Sequence, residues 1–183
     1  MARSVITGGP CSGKTTVIEY LAQRGIPVVR ETMSYVLPQQ RALEAAFPGT
    51  AILPEREPRA FRKLVIETQL RLEEESPPDA ICDVGILENA VYWALHHQEP
   101  LPELEQCLQR GRYARVFLFA PMPTYERNGI RFEDAQQANI ASERIERLYR
   151  RLGYPIIRVP VLPVKERAEM VLRNITRTPV VIR

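Results

Sequence analysis

One short segment constrains this chain more than any other, the octapeptide Gly8-Gly9-Pro10-Cys11-Ser12-Gly13-Lys14-Thr15. It satisfies every fixed position of the phosphate-binding loop pattern G-x-x-x-x-G-K-[ST]. A β-prone run at residues 4–7 precedes it, and apolar residues at helical spacing follow it up to Leu21. A strand, a glycine-rich loop and a helix are the arrangement that this pattern requires. The sequence therefore predicts a phosphate-binding loop near the start of the chain.

The residue types in this loop each suit a nucleoside triphosphate with its metal ion. Glycines let the backbone bend so that successive N–H groups point at phosphate oxygens, and the next helix adds its N-terminal donors. Lys14 can reach the β- and γ-phosphates, and the Thr15 hydroxyl can bind Mg²⁺. ATP and Mg²⁺ are the predicted cofactors, and the predicted binding residues are Gly8, Gly9, Pro10, Cys11, Ser12, Gly13, Lys14, Thr15 and Thr16.

Length and composition indicate a single globular domain over residues 1–183. No apolar run approaches the ~20 residues of a membrane span, and three widely spaced cysteines suit a reducing, cytoplasmic location. The net charge is +3, and most of the positive charge comes from arginine. This excess of arginine indicates either a polyanion-binding surface or a bias in composition. No basic cluster interleaved with aromatic residues indicates a nucleic-acid partner. The oligomeric state is left open.

The chain alternates apolar runs with helical patterns, which predicts a mainly parallel sheet covered by helices on both faces. The expected class is a three-layer α/β/α fold of the P-loop nucleotide-kinase type. Its five strands are predicted at residues 4–7, 26–30, 80–83, 116–119 and 156–159. Prolines at 38, 48, 54 and 58 interrupt residues 37–58, which are predicted to form a mobile substrate loop with a short helix at 40–46.

Four further residues are candidates for the chemistry of the site. Asp83 ends an apolar run and could hold Mg²⁺ through water, or could cap a helix. Glu31 follows the second predicted strand, where a carboxylate could accept the proton of an acceptor hydroxyl or could simply be solvated. Arg127 and Arg131 flank Asn128-Gly129 in a predicted lid at residues 121–135. Their guanidinium groups could close on a transferring phosphoryl group or could be ordinary surface cations.

Two absences narrow the class of nucleotide chemistry. No Asn/Thr-Lys-x-Asp segment for reading guanine is present, which argues against a switch-type GTPase. Asp83 is followed by Val84-Gly85 rather than by a glutamate that could activate water. The phosphoryl acceptor is therefore expected to be something other than water.

With these residues in view, the chain resembles the P-loop ATPase/kinase-like domain family that includes the ribosylnicotinamide-kinase domain of NadR-type proteins. The resemblance runs through 6–10, 28–31, 83–85, 116–118, 153–155 and 159–167. It implies a doubly wound α/β fold with Lys14, Thr15 and Asp83 around Mg-nucleotide. The family usually has Asp-Arg-Gly at residues 83–85 and more often glycine at position 11, so Val84 and Cys11 are departures from its pattern.

Together these observations favour an ATP-dependent, Mg-dependent kinase that acts on a nucleoside or a similar hydroxyl compound. The catalytic candidates are Lys14, Glu31, Asp83, Arg127 and Arg131, and the metal candidates are Thr15 and Asp83. The alternative is a nucleotide-binding regulatory or ATPase module that transfers phosphate to no metabolite.

Overall fold

A computed structural model describes residues 3–96, 99, 101–108, 112–122 and 135–176. In this part of the chain the strands are β1 (Arg3–Thr7), β2 (Val28–Val29), β3 (Ile81–Asp83), β4 (Tyr113–Phe119) and β5 (Ile156–Val159). The helices are α1 (Lys14–Ala22), α2 (Met33–Ala46), α3 (Pro58–Glu75), α4 (Glu88–His96), α5 (Pro102–Leu108), α6 (Ala135–Arg151) and α7 (Val164–Thr176). None of these helices is both long and apolar enough to cross a membrane.

The five strands form one parallel sheet in the order β2-β3-β1-β4-β5. All four pairings are parallel, with Ile6 opposite both Asp83 on β3 and Phe117 on β4. The central position of β1 brings the carboxyl ends of β1 and β3 side by side. The predicted α/β class and its five-stranded sheet are confirmed.

Successive residues of the central strand point to opposite faces of the sheet and enter separate cores. Val5 packs in a core with residues of α4 and α6, including Val91 and Ile145. Ile6 packs in another core with α1 and α7, including Ile18 and Val171. Because both faces of the sheet are covered by helices, the molecule has the three layers expected of this class.

Helix α2 begins earlier than the sequence suggested. It starts at Met33 and continues through Pro38, so the expectation that Pro38 interrupts this part of the chain is wrong. Pro38 lies in the second turn, where its missing N–H removes one backbone bond while the other turns hold the helix. Val36 and Phe61 bury the inner face of α2 against α3.

The rest of the predicted substrate loop, residues 47–57, is tied back to α2 by polar contacts. Arg56 Nη1 lies 2.6 Å from Glu44 Oε1, and Arg41 pairs with Glu55. The Ile52 amide donates to Gln40 Oε1 over 2.8 Å. These exposed pairs are individually weak. The movement of residues 37–58 over a substrate stays a prediction.

Gly85, just beyond β3, provides a test of this packing. A Cβ atom at Gly85 would overlap the Tyr149 hydroxyl and lie 3.1 Å from both Val5 Cγ2 and Tyr113 Cε2. We expect Gly85→Ala to lower the free energy of unfolding by about 3 kcal/mol, because a well-packed interior must shift to admit the methyl group. Urea denaturation followed by circular dichroism measures this change.

Gly25→Ala is the matched control, because a Cβ there meets no atom within 4 Å although its φ is +75°. Only backbone strain of about 1 kcal/mol is expected for this control. Equal losses in the two variants would contradict the packing around Gly85.

Candidate functional site

The loop between β1 and α1 has a backbone that glycine makes possible. Gly8 has φ +139°, and a Cβ atom there would lie 2.6 Å from the Phe119 carbonyl oxygen. Gly13, at the N-cap of α1, has φ +75°. Cys11 also has a positive φ of 58°, in the left-handed region that glycine enters most readily. The predicted strand, loop and helix are present in that order.

The ammonium group of Lys14 is held against this loop. Its Nζ donates to the Gly8 carbonyl over 2.9 Å, to the Gly9 carbonyl over 3.0 Å and to Ser12 Oγ over 3.3 Å. A single flexible cation thus lies beside the glycine-rich backbone whose N–H groups suit phosphate oxygens. Phosphate oxygens can compete for this cation because its present partners are uncharged.

Arg167 of α7 supports the loop from the side of the second core, a role that sequence reasoning missed. Its Nη1 donates to the Ser12 carbonyl over 3.0 Å, and its guanidinium lies over the Phe119 ring, 5.5 Å from the centroid. A Cβ atom at Gly13 would lie 2.7 Å from the same Nη1. Arg167 is only 4% exposed, so its guanidinium is a built part of the loop's wall. Burial lowers its pKa.

Asp83 ends β3 next to the phosphate-binding loop, as the sequence predicted. Its pKa is raised to about 6: burial is the largest cause and the negative charge of Glu31 adds to it, whereas the Lys14 ammonium and the Thr15 hydroxyl oppose the rise. Its Oδ1 is buried and has no hydrogen-bond partner among the described residues. The pKa effects place this carboxylate within electrostatic reach of the lysine and the hydroxyl that follow the loop.

These groups fit a magnesium ion bound together with a nucleotide. Mg²⁺ prefers oxygen ligands and is usually bound through one or two carboxylates, water and substrate phosphates. The unpaired Oδ1 of Asp83 and the hydroxyl of Thr15 supply oxygens of this kind. Thr15 is exposed, which leaves its hydroxyl accessible.

Glu31 follows β2 at the same edge of the sheet, because β2 lies beside β3. Its Oε2 accepts a hydrogen bond of 2.6 Å from Ser34 Oγ in the first turn of α2. Its negative charge raises the pKa of Asp83. The structure therefore brings Glu31, Asp83 and Lys14 together, although they are far apart in sequence.

A second buried carboxyl, that of Glu88, was not predicted. Glu88 opens α4 and is 0% exposed. Its Oε1 accepts a 2.9 Å bond from the Gly85 amide and a 3.3 Å bond from the Tyr149 hydroxyl. Its pKa is raised to about 7 because burial outweighs the opposing effects of the Gly85 amide and of the positive charge of Lys14. Glu88 thus fixes the turn that follows Asp83.

The remaining candidates fall outside these contacts. Arg127 and Arg131, with residues 123–134 of the predicted lid, lie outside the described residues. Thr16 is exposed in the first turn of α1, and Pro10 is half-buried in the loop. Their contributions to nucleotide binding stay predictions.

Comparison with known proteins agrees with this geometry. The family model of the AAA domain matches residues 3–167. The chain belongs to the AAA domain family. The comparison with curated protein sequences found no match. The resemblance to P-loop ATPase/kinase-like domains, stated from the sequence, is confirmed by the family match and by the solved structures that follow.

Three solved structures illustrate the likeness in fold. A NadR protein in complex with NR is 19% identical, with a TM-score of 0.66, and the match covers 97% of this chain and 52% of that one. Deoxyadenosine kinase from M. mycoides, with products bound, is 13% identical, with a TM-score of 0.60 and coverage of 94% and 97%. Thymidylate kinase from Ehrlichia chaffeensis is 13% identical, with a TM-score of 0.57 and coverage of 96% and 98%. The AAA-family chain spans about half the length of the NadR protein.

The raised pKa of Asp83 gives a pH-dependent prediction for the AAA-family chain without nucleotide. The folded protein binds this proton more tightly than the unfolded chain, so Asp83 makes the free energy of unfolding fall as pH rises from 3.8 to about 6. We expect Asp83→Asn to raise the free energy of unfolding at pH 7.5 by about 2 kcal/mol and to change it little at pH 4. Denaturant titration at both pH values tests this.

Asp79→Asn is the control, because Asp79 is exposed in the turn before β3. It should change neither value by more than about 0.5 kcal/mol. A loss of stability in Asp83→Asn at pH 7.5 would show that the aspartate is fully compensated in the folded state.

Proposed function

We propose that the protein is an Mg-dependent kinase that transfers the γ-phosphoryl group of ATP to a hydroxyl of a small, nucleoside-type molecule. The observation that carries the proposal is the meeting of Lys14, Asp83 and Glu31 at the carboxyl edge of the sheet, beside the glycine-rich loop. The solved structures with the same fold include a deoxyadenosine kinase and a thymidylate kinase, which supports a phosphotransfer role.

In this proposal each group has one task. The loop amides and the Lys14 ammonium hold the β- and γ-phosphates and neutralise charge that grows during transfer. Thr15 and Asp83 would hold Mg²⁺, which when bound withdraws charge from the phosphate oxygens. Glu31 accepts the proton of the acceptor hydroxyl as that oxygen bonds to the γ-phosphorus and the bond to the ADP oxygen breaks. Arg127 and Arg131 are proposed to approach the same oxygens from the lid.

The alternative function, a nucleotide-binding regulatory or ATPase module, is favoured by one residue. Val84 stands where related sequences carry an arginine beside the metal site, so one cation that could assist transfer is missing. If no acceptor increases the consumption of ATP, this module becomes the better description. The two functions share the nucleotide site and differ in the use of Glu31.

Lys14→Ala tests nucleotide binding. Its ammonium donates to uncharged oxygens of the loop, so the substitution should leave the fold intact and weaken MgATP binding by about 100-fold or more, through loss of a charge-assisted contact. The measurement is the rise in melting temperature with MgATP, with Lys165→Ala as the control at a side chain that is 71% exposed. An unchanged MgATP-induced rise in Lys14→Ala would exclude the assignment.

Glu31→Gln tests proton transfer. Removing the base should lower acceptor-dependent turnover by about 10²- to 10⁴-fold while the MgATP-induced rise in melting temperature is kept. Release of ADP is followed with a panel of nucleosides and nucleoside 5′-monophosphates, and Glu75→Gln, at an exposed residue, is the control. Turnover that persists in Glu31→Gln would show that Glu31 is a solvated loop residue.

A further inference from the structure

Helix α3 runs in a direction that places its first two turns beyond the carboxyl edge of the sheet. Five residues, 76–80, join the end of α3 to the start of β3, so the C-terminal end of α3 lies near the start of that strand. Gln69, further up the helix, donates to the Val84 carbonyl over 3.0 Å, at the level where β3 ends. Arg62 lies two turns nearer the N-terminus of α3, about 10 Å higher along the helix axis. Its guanidinium extends from there to Asn89 in the first turn of α4, just after the turn that follows β3.

Arg62 is held there by an amide. Its Nη1 donates to Asn89 Oδ1 over 2.9 Å, and Asn89 in turn donates to Gln69 Oε1 and to the Ile86 carbonyl. Asn89 is 5% exposed, so this support is rigid. The arginine is thus oriented by a buried network that also holds the turn beside Asp83.

Arg62 differs from Arg59 and Lys63 of the same helix in having no carboxylate partner among the described residues, and from the likewise unpaired Arg71 in not being exposed. Arg59 pairs with Glu99, and Lys63 lies within 4.0 Å of Glu67 and Glu103. For Arg62 burial lowers the pKa, and only a contribution from Tyr92 opposes that effect. Arg62 is half-buried. Partial removal of a guanidinium from water without a counter-charge disfavours the fold, so a structural role alone is an unfavourable reason for its position.

We infer that Arg62 binds an anionic group of the phosphoryl acceptor, a carboxylate or a phosphate, at the carboxyl edge of the sheet. The inference rests on the proposed kinase function and adds the charge class of the acceptor to it. A guanidinium can hold either oxyanion through two parallel N–H donors, and this geometry is what distinguishes arginine from lysine. The acceptor hydroxyl then faces Glu31 while its anionic group is anchored on α3.

The test compares matched acceptors. Nucleosides are paired with their 5′-monophosphates, and small hydroxy acids with their primary amides, in an ADP-release assay with saturating MgATP. We expect turnover with members of one anionic set and at least about 100-fold less with their neutral partners, the loss typical of an unpaired desolvated charge. The set that reacts distinguishes a phosphate from a carboxylate.

Variants assign the effect to Arg62. Arg62→Met should raise the acceptor KM by about 100-fold and leave the KM for ATP unchanged. Arg62→Lys keeps the charge without the planar fork, so its acceptor KM should lie between those of the wild type and Arg62→Met. This second variant keeps the test valid if Arg62→Met folds poorly. Lys63→Met, at the next residue of the same helix, is the control and should match the wild type.

The outcomes separate this inference from the proposed function. Equal use of neutral and anionic acceptors, or an unchanged acceptor KM in both Arg62 variants, overturns the inference and leaves the kinase proposal standing. Failure of every acceptor to increase ADP release, with MgATP binding intact, overturns the kinase proposal and the inference with it.

Discussion

The turn after β3 must be held in a conformation that its sequence does not favour, and the candidate site depends on that turn. Val84 has φ +66°, a region that a β-branched residue enters only under strain of about 1–3 kcal/mol. Its amide donates to the Ile6 carbonyl over 3.1 Å, and its own carbonyl accepts from Gln69. These two hydrogen bonds hold Val84 in its strained conformation. They therefore keep the Asp83 carboxylate at the end of its strand.

The same turn is fixed further by a buried polar network that extends to β4. The Ile86 amide donates to the Tyr113 hydroxyl over 2.8 Å, and that hydroxyl donates to Glu73 Oε1 over 2.8 Å. Burial raises the pKa of Glu73, while Tyr113 and the positive charge of Arg112 lower it. Since each bond in this network leaves a desolvated group unpaired when it breaks, the network resists movement of the turn. The turn that follows Asp83 therefore owes its rigidity to a buried network that extends to β4.

The layers of the fold and the central part of the site could be predicted because their signals in the sequence are local. The spacing of glycines in residues 8–13, the lysine after them and the apolar strands are each visible within a few positions. Arg167 and Glu88 could not be found in this way. The contact from Arg167 to Ser12 joins residues 155 positions apart. In the sequence Glu88 is only a glutamate at the start of a helix, and its contacts with Gly85 and Tyr149 form in the folded chain. The prediction that Pro38 interrupts the chain was wrong because the effect of a proline depends on its position in a helix, and tertiary packing stabilises this helix.

Under the proposed function, phosphoryl transfer has to rely on cations other than the side chain at position 84, which is Val84 in this chain. Asp83 and Glu88 both have raised pKa values, so a cation near either is favoured, and Lys14 is the described cation that acts on both. Arg62, held by Asn89 rather than by a carboxylate, supplies positive charge on α3. Under the proposed function, this charge is on the helix that we infer to face the acceptor. A positive group in that position favours an acceptor that carries its own negative charge, because only such a molecule compensates the desolvated guanidinium when it binds.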